Sequence, residues 1–180
     1  SGIDLQIDSR RSTLFFQQNH CPGSHSGSVT GKPQALLRCG FYIDSAHIHD
    51  FSMLPAGSSF DVSAFIHQGH SFSELPFTPE TADLEENWSD DEAGASSSAI
   101  FNASIRKDKE KYRSLLQSLF GRKCIWKLSL ISGVEYIIGS KEFIPKFTYS
   151  DGVSGLSSSE FTIKIENDST HGILLNRANI

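Results

Sequence analysis

No apolar run in this 180-residue sequence approaches the roughly 20 residues that a membrane-spanning helix needs, so a helical span is excluded. There is no Gly-x-Ser-x-Gly nucleophile turn, no Walker-type phosphate loop, no Gly-x-Gly-x-x-Gly and no Cys-x-x-Cys. The familiar hydrolase, nucleotide-binding and zinc-ribbon signatures are therefore missing. Cysteine is scarce. Cys21, Cys39 and Cys124 are an odd number at wide spacing. That argues against a disulfide framework and for a reducing compartment, with the thiols packed as small hydrophobes. Met53 is the only methionine. The opening residues SGIDLQID have neither a basic nor an apolar segment, so no signal peptide is expected in the chain as it stands, and its start is expected to be processed or trimmed.

What is present suits one folded domain over residues 1–180. Hydrophobic residues are 38% of the chain and 13 Phe supply core material, which rules out wholesale disorder. Charge is unevenly placed. Glu74, Glu80, Asp83, Glu85, Glu86, Asp90, Asp91 and Glu92 follow one another with no intervening Lys or Arg, a local charge of -8. Arg106, Lys107, Lys109, Lys111, Arg113, Arg122, Lys123 and Lys127 face only Asp108 and Glu110, a local charge of +6. Two opposed patches in a chain of net charge -5 suggest electrostatic complementarity within the chain or between copies of it. The expected assembly contacts are Glu80, Asp83, Glu85, Glu86, Asp90, Asp91 and Glu92 on one side and Arg106, Lys107, Lys109, Lys111 and Arg113 on the other. Head-to-tail contacts of this kind close into rings. The overall acidity and the lack of aromatic–basic alternation argue against a direct grip on nucleic acid.

Period-2 alternation predicts strands at Ile3–Asp8, Gln34–Asp44 (with Gly40 as a possible bulge), Ser58–Gln68, Ala99–Ile105 and Glu160–Glu166. Ser12–Gln18 is a further apolar stretch, and Asn19–Pro33 reads as a loop. Cys124–Ile131 and Val134–Gly139 flank Ser132-Gly133 and read as a hairpin, with an extended piece at Phe143–Tyr149 and a short apolar end at Ile173–Leu175. Residues 69–98 and 150–158 read as loops, the first an exposed acidic excursion ordered only by a neighbour. One strong helix is expected from Asp108, its cap, to Phe120, with Tyr112, Leu115, Leu116 and Leu119 as the apolar stripe and Gly121 just beyond it. Eight or nine strands, one helix and no βαβ alternation predict a mainly β (α+β) fold, an antiparallel sandwich or barrel with one packed helix and long loops.

Histidine is the residue type that most invites a catalytic reading. His20 and His25 bracket Cys21; His47 and His49 share one side of any strand; His67 and His70 lie close in sequence. No third ligand at a zinc-enzyme spacing accompanies them, so neither a metal nor a cofactor is expected. A Cys21–His25 pairing would sit in a Pro/Gly/Ser loop, a weak frame for a thiolate.

The order from about Ser97 to Leu175 is a strand (AIFNASI), an amphipathic helix (DKEKYRSLLQSLF), a hairpin, a loose Gly-Ser-x-x-x-x-Pro turn from Gly139 to Pro145, a Gly/Ser loop and the strand Phe161–Ile165. This layout resembles small tail-region structural proteins of tailed bacteriophages and their prophage relatives, of the tail-tube or tail-adaptor type. The resemblance implies a non-enzymatic virion subunit with a β-sandwich core. Such a subunit forms a homo-oligomeric ring, tube, adaptor or head-tail connector, assembled in the bacterial cytoplasm and touching other tail and neck proteins. DNA would pass nearby without sequence-specific binding, and no membrane is involved. The competing expectation is a secreted or intracellular bacterial effector or enzyme with a His-based metal site.

Overall fold

The computed structural model describes residues 36–106, 109–154 and 157–177. Ten strands are described: β1 (Leu37–Asp44), β2 (Ser59–Phe60), β3 (Ser73–Leu75), β4 (Asp83–Asp91), β5 (Gly94–Arg106), β6 (Cys124–Leu130), β7 (Glu135–Ile138), β8 (Lys146–Ser154), β9 (Ser157–Ser169) and β10 (Leu174–Asn176). One α-helix, α1 (Lys109–Leu119), joins β5 to β6. The strands form a six-stranded sheet in the order β2-β10-β7-β6-β1-β3 and a four-stranded sheet in the order β4-β5-β9-β8. The fold is mainly β with one packed helix, as the sequence pattern predicts, and its sheets lie face to face without closing into a barrel. The expected strand Ile3–Asp8, the stretch Ser12–Gln18 and the loop Asn19–Pro33 lie outside the described residues.

Alternation along the long strands decides the layering. On β5 and β9, Phe101, Ala103, Ile105, Phe161, Ile163 and Ile165 are all buried, and the residues between them face away. They meet Trp126, Leu128 and Leu130 of β6 in one core. The Trp126 and Phe147 rings stack across the sandwich, with centroids 5.3 Å apart and planes 20° apart. Leu116 and Leu119 of α1 are fully buried in the same core, with Tyr112 and Leu115 packed at its margin, so the apolar stripe is core-facing. A second core lies on the other face of the six-stranded sheet. There Ile43, Ile125, Ile137 and Leu174 are covered by Ile48, Phe51 and Val62 of the segment between β1 and β3.

Several loop expectations are corrected. The acidic stretch is not an excursion: residues 83–91 form β4, and every residue of it pairs with β5, from Asp83 opposite Asn102 to Asp91 opposite Gly94. A tight turn made this possible. The Asp91 carboxylate accepts the Ala93 N–H at 2.8 Å and reverses the chain at Glu92. The Ser96–Ser98 run, read as loop, is the body of β5. Likewise the Gly/Ser stretch 150–158 is strand at both ends, as β8 and β9 pair from Lys146–Glu166 to Ser154–Ser157. The opposite error occurs at Ser58–Gln68. Only Ser59–Phe60 is strand, because Asp61 accepts the Ser63 N–H at 3.0 Å and winds residues 62–65 into a 3-10 turn. The irregularity in β1 falls between Leu37 and Cys39, not at Gly40. Gly40 serves close approach instead: a Cβ there would meet the Phe77 ring at 2.9 Å. The hairpin turn spans Ile131–Val134, closed by the Leu130 N–H on the Val134 carbonyl at 2.8 Å.

Candidate functional site

The two sheets end differently, and that difference defines the candidate site. The six-stranded sheet is bordered by β2 and β3, two and three residues long. The four-stranded sheet is bordered by β4 and β8, each of nine residues. No described strand pairs with the outer edge of either. Long strands with open backbone edges are templates for pairing with another chain.

The two edges carry opposite chemistry. On β4, Asp83, Glu85, Asn87, Ser89 and Asp91 alternate with Leu84, Glu86, Trp88 and Asp90. Leu84 packs on the main core, while Trp88 is 46% exposed. Glu86 is tied inward: its Oε1 accepts the Ser97 hydroxyl at 2.9 Å and the Ile173 N–H at 2.8 Å. Glu85 accepts from the Asn87 amide at 2.8 Å. Glu80 lies exposed in the 3-10 turn Pro79–Thr81 before the strand, and Glu92 lies in the turn after it. Beside β8 stands the basic helix. Arg113 pairs with Asp151 of β8 at 3.0 Å and lies 5.7 Å from the Phe161 ring centroid. Lys111 is exposed next to the Tyr112 ring, and Phe120, 63% exposed, meets Tyr149 of β8 edge-on. Lys109 opens the helix, and Arg106 ends β5 opposite Glu160. Lys107 and the expected helix cap Asp108 lie outside the described residues.

The expected acidic and basic contacts are therefore not brought together within one chain. No ion pair joins the two sets among the described residues. The β4 carboxylates and the helix residue Arg113, paired to β8, stand apart because β5 and β9 lie between β4 and β8, whereas Arg106 ends the inner strand β5. The expectation that a partner must order the acidic stretch is also corrected, since β5 orders it by a nine-residue ladder.

Between these edges the outer face of the sheet is polar. Asp83, Asn102, Lys164 and Thr148 lie in one cross-strand row, and Glu85, Ile100, Glu166 and Lys146 in the next. Asn87, Ser98 and Asp168 follow. Lys164 and Glu166 pair at 2.6 Å, and the Lys164 hydrogen bond holds the Glu166 carboxyl below its ordinary range. Carboxylates on these rows outnumber ammonium groups, so the face is mildly acidic.

The histidines read in the sequence do come together. The His47 and His70 rings stack with centroids 3.7 Å apart, and His49 meets His67 edge-on at 4.2 Å. His47 and His70 border a surface cleft of about 330 Å³ with Tyr42, Asp44, Ser71, Ser73 and Arg122. Yet among the described residues no group of three or more His, Cys, Asp or Glu is arranged to hold a metal ion. His20, His25 and Cys21 lie outside the described residues.

Two polar features were missed. Cys39 is disulfide-bonded, so the reading of all three cysteines as packed small hydrophobes is corrected in β1. An odd cysteine count says nothing against one bridge plus one buried thiol. Cys124 is that thiol, fully buried, and burial pushes its pKa to about 11, which makes it inert. The other feature is a buried chain of hydroxyls. The Ser52 hydroxyl donates to Asp50, and its Oγ lies 2.8 Å from that of Ser140, which in turn lies 3.0 Å from His171 Nε2. His171 Nδ1 lies 2.7 Å from the Gly172 carbonyl oxygen, an acceptor that assigns the proton to Nδ1. Ser140 and His171 are 0% and 1% exposed, so this Ser–His pair joins three loops and has no path to substrate. It also shows why the Gly-Ser-x-x-x-x-Pro stretch is a turn: Gly139 has φ +92°, and the Pro145 ring fills the space a Cβ would need.

Comparison with known proteins finds no matching family model, no matching curated protein and no matching solved structure.

Proposed function

We propose that the chain is a structural subunit that associates with copies of itself through the β4 and β8 edges, building a ring in the tail or neck of a phage particle. The observation that carries this reading is the four-stranded sheet with two nine-residue edges, one acidic and one flanked by a basic helix. Because the edges differ, contact between copies is heterologous: β4 of one copy lies along β8 and α1 of the next. Backbone hydrogen bonds supply adhesion, and charge complementarity supplies direction. The polar, mildly acidic outer face then becomes continuous around the ring. Such a face repels phosphates and lets DNA pass without sticking.

The Cys39 disulfide suits a chain that ends outside a reducing cytoplasm, and the surface of a released particle meets that condition. It equally suits a secreted effector, the second reading. Metal analysis separates the two: stoichiometric zinc in purified protein favours the effector. The primary test is mass in solution by light scattering. A species larger than one chain, reduced to monomer by the paired change Asp83→Lys and Glu85→Lys, supports ring assembly. A monomer at every concentration, or an oligomer indifferent to that change, refutes it. Charge reversal is the appropriate variant, because deleting residues 80–92 would remove a strand whose Leu84 packs on the core.

A further inference from the structure

Every histidine among the described residues bears on one segment, the strap of residues 45–72 between β1 and β3. This strap lies over the outer face of the six-stranded sheet and closes the second core with Ile48, Phe51 and Val62. Its two ends meet at a single antiparallel bridge, Ile48 with Ile66. The bridge is pinned by the His49 N–H on the Phe65 carbonyl at 2.7 Å and the His67 N–H on the His47 carbonyl at 2.9 Å. Four imidazoles flank it. His47 stacks on His70 at 3.7 Å with planes 16° apart, and His49 meets His67 at 4.2 Å and 62°. In each pair one ring belongs to the start of the strap and the other to its end. His171 touches the strap elsewhere, through Ser140 to Ser52.

We propose that this four-histidine contact is an acid-released clasp. The two ring pairs hold the ends of the strap together, and acid drives the rings apart and frees the strap from the second core. Two carboxylates lie near the cluster, and Asp50, next to His49 in the chain, accepts from the Ser52 N–H and hydroxyl. Asp44, beside His47, is already engaged by the Ala46 N–H at 2.9 Å and by Arg122 at 3.4 Å. Lys141 adds positive charge toward His67. Partial removal from water, then His49, Lys141, His70 and His47, hold His67 below its ordinary 6.5. A histidine with a depressed folded value binds fewer protons folded than unfolded. Its contribution therefore weakens as pH falls from 6.5 through the folded value and levels off below it.

Hydrogen exchange at pH 7.5 and pH 5.0, corrected for intrinsic rates, tests the clasp. Amides of residues 45–72 lose protection by about tenfold or more at the lower pH, while β5 and β9 keep theirs. The pair His67→Gln and His70→Gln, and separately His47→Gln and His49→Gln, cut that acid response to about threefold or less. Unchanged protection of the strap at pH 5.0 overturns the proposal. So does a full acid response in both variants, or a strap already open at pH 7.5 in both, which would assign the contact to ring packing alone.

Discussion

The two sheets of this protein solve the same problem in opposite ways. The six-stranded sheet is closed. Its inner face meets the main core, its outer face is covered by the strap, and its border strands are two and three residues long. The four-stranded sheet is open. Its outer face is polar, and its border strands have nine residues each with no described strand on their outer side. A long open edge is an aggregation hazard that proteins usually blunt. Here one edge carries a row of carboxylates, which resists pairing with a copy of itself while admitting a basic partner. The two sheets share one core and differ in what lies on their outer faces and along their borders.

Four experiments can break or sharpen this division. The largest effect is expected where both sheets share a side chain. Phe101→Ala and Phe161→Ala, fully buried between the sheets, should each cost about 3–5 kcal/mol in denaturant unfolding. Leu116→Ala, which joins α1 to the same core, should cost about 2–5 kcal/mol. A loss under about half a kcal/mol at any of these sites would mean that the layers do not share one core.

The turn that ties the open sheet to the closed one comes next. Gly172 has φ +66°, and both Glu86 and Trp88 of β4 occupy the space a Cβ would need. Gly172→Ala should cost more than about 1 kcal/mol and should loosen β4 before β6, read by exchange of their amides. Equal loosening of both strands would deny the open sheet its separate character.

Asp44 gives a smaller effect confined to the closed sheet. The Ala46 N–H, then Arg122, hold its carboxyl below its ordinary 3.8. A lowered carboxylate contributes stability above 3.8 that is lost as pH falls through the folded value. Asp44→Ala should cost about 1 kcal/mol at neutral pH and flatten the acid limb of stability against pH. An unchanged acid limb would show that the hydrogen bond from the Ala46 N–H to Asp44 is not formed in solution.

The smallest folding effect belongs to the open edge. Asp83→Lys with Glu85→Lys changes two exposed side chains and should shift monomer stability by less than about 0.5 kcal/mol, whatever it does to assembly. A large loss of stability there would make β4 part of the core instead of a contact surface.

How far the sequence could be read depends on which interaction held each segment. The helix was legible because Tyr112, Leu115, Leu116 and Leu119 repeat at helical spacing and α1 buries that same face. The strand pattern of β9 was legible for the same reason at period 2. The acidic strand was not, because propensity counts Asp, Glu, Asn and Ser against a strand. What makes β4 a strand is its ladder with β5 and two inward contacts, Leu84 to the core and Glu86 to Ser97 and Ile173. The reverse held at Ser58–Gln68, where four alternating apolar residues promised a strand and one Asx turn at Asp61 prevented it. For the candidate site, the charged residues were named from the sequence, but the separation of the β4 carboxylates from Arg113 and β8 by two intervening strands was not foreseen.

By itself the sequence determined the fold class, the helix and its buried face, and the existence of two opposed charge patches. Each of these follows from local spacing and composition, which act within a few residues. Tertiary structure alone decided that the acidic stretch is a strand, that its carboxylates stand apart from Arg113 and β8 across β5 and β9, that Cys39 is bridged, and that four histidines of two separate segments meet in two ring pairs. These depend on which segments meet. The β4–β5 ladder starts at a tight turn, but the contacts of Glu86 with Ile173 and of β5 with β9 join residues far apart in the chain, and no short window contains both members.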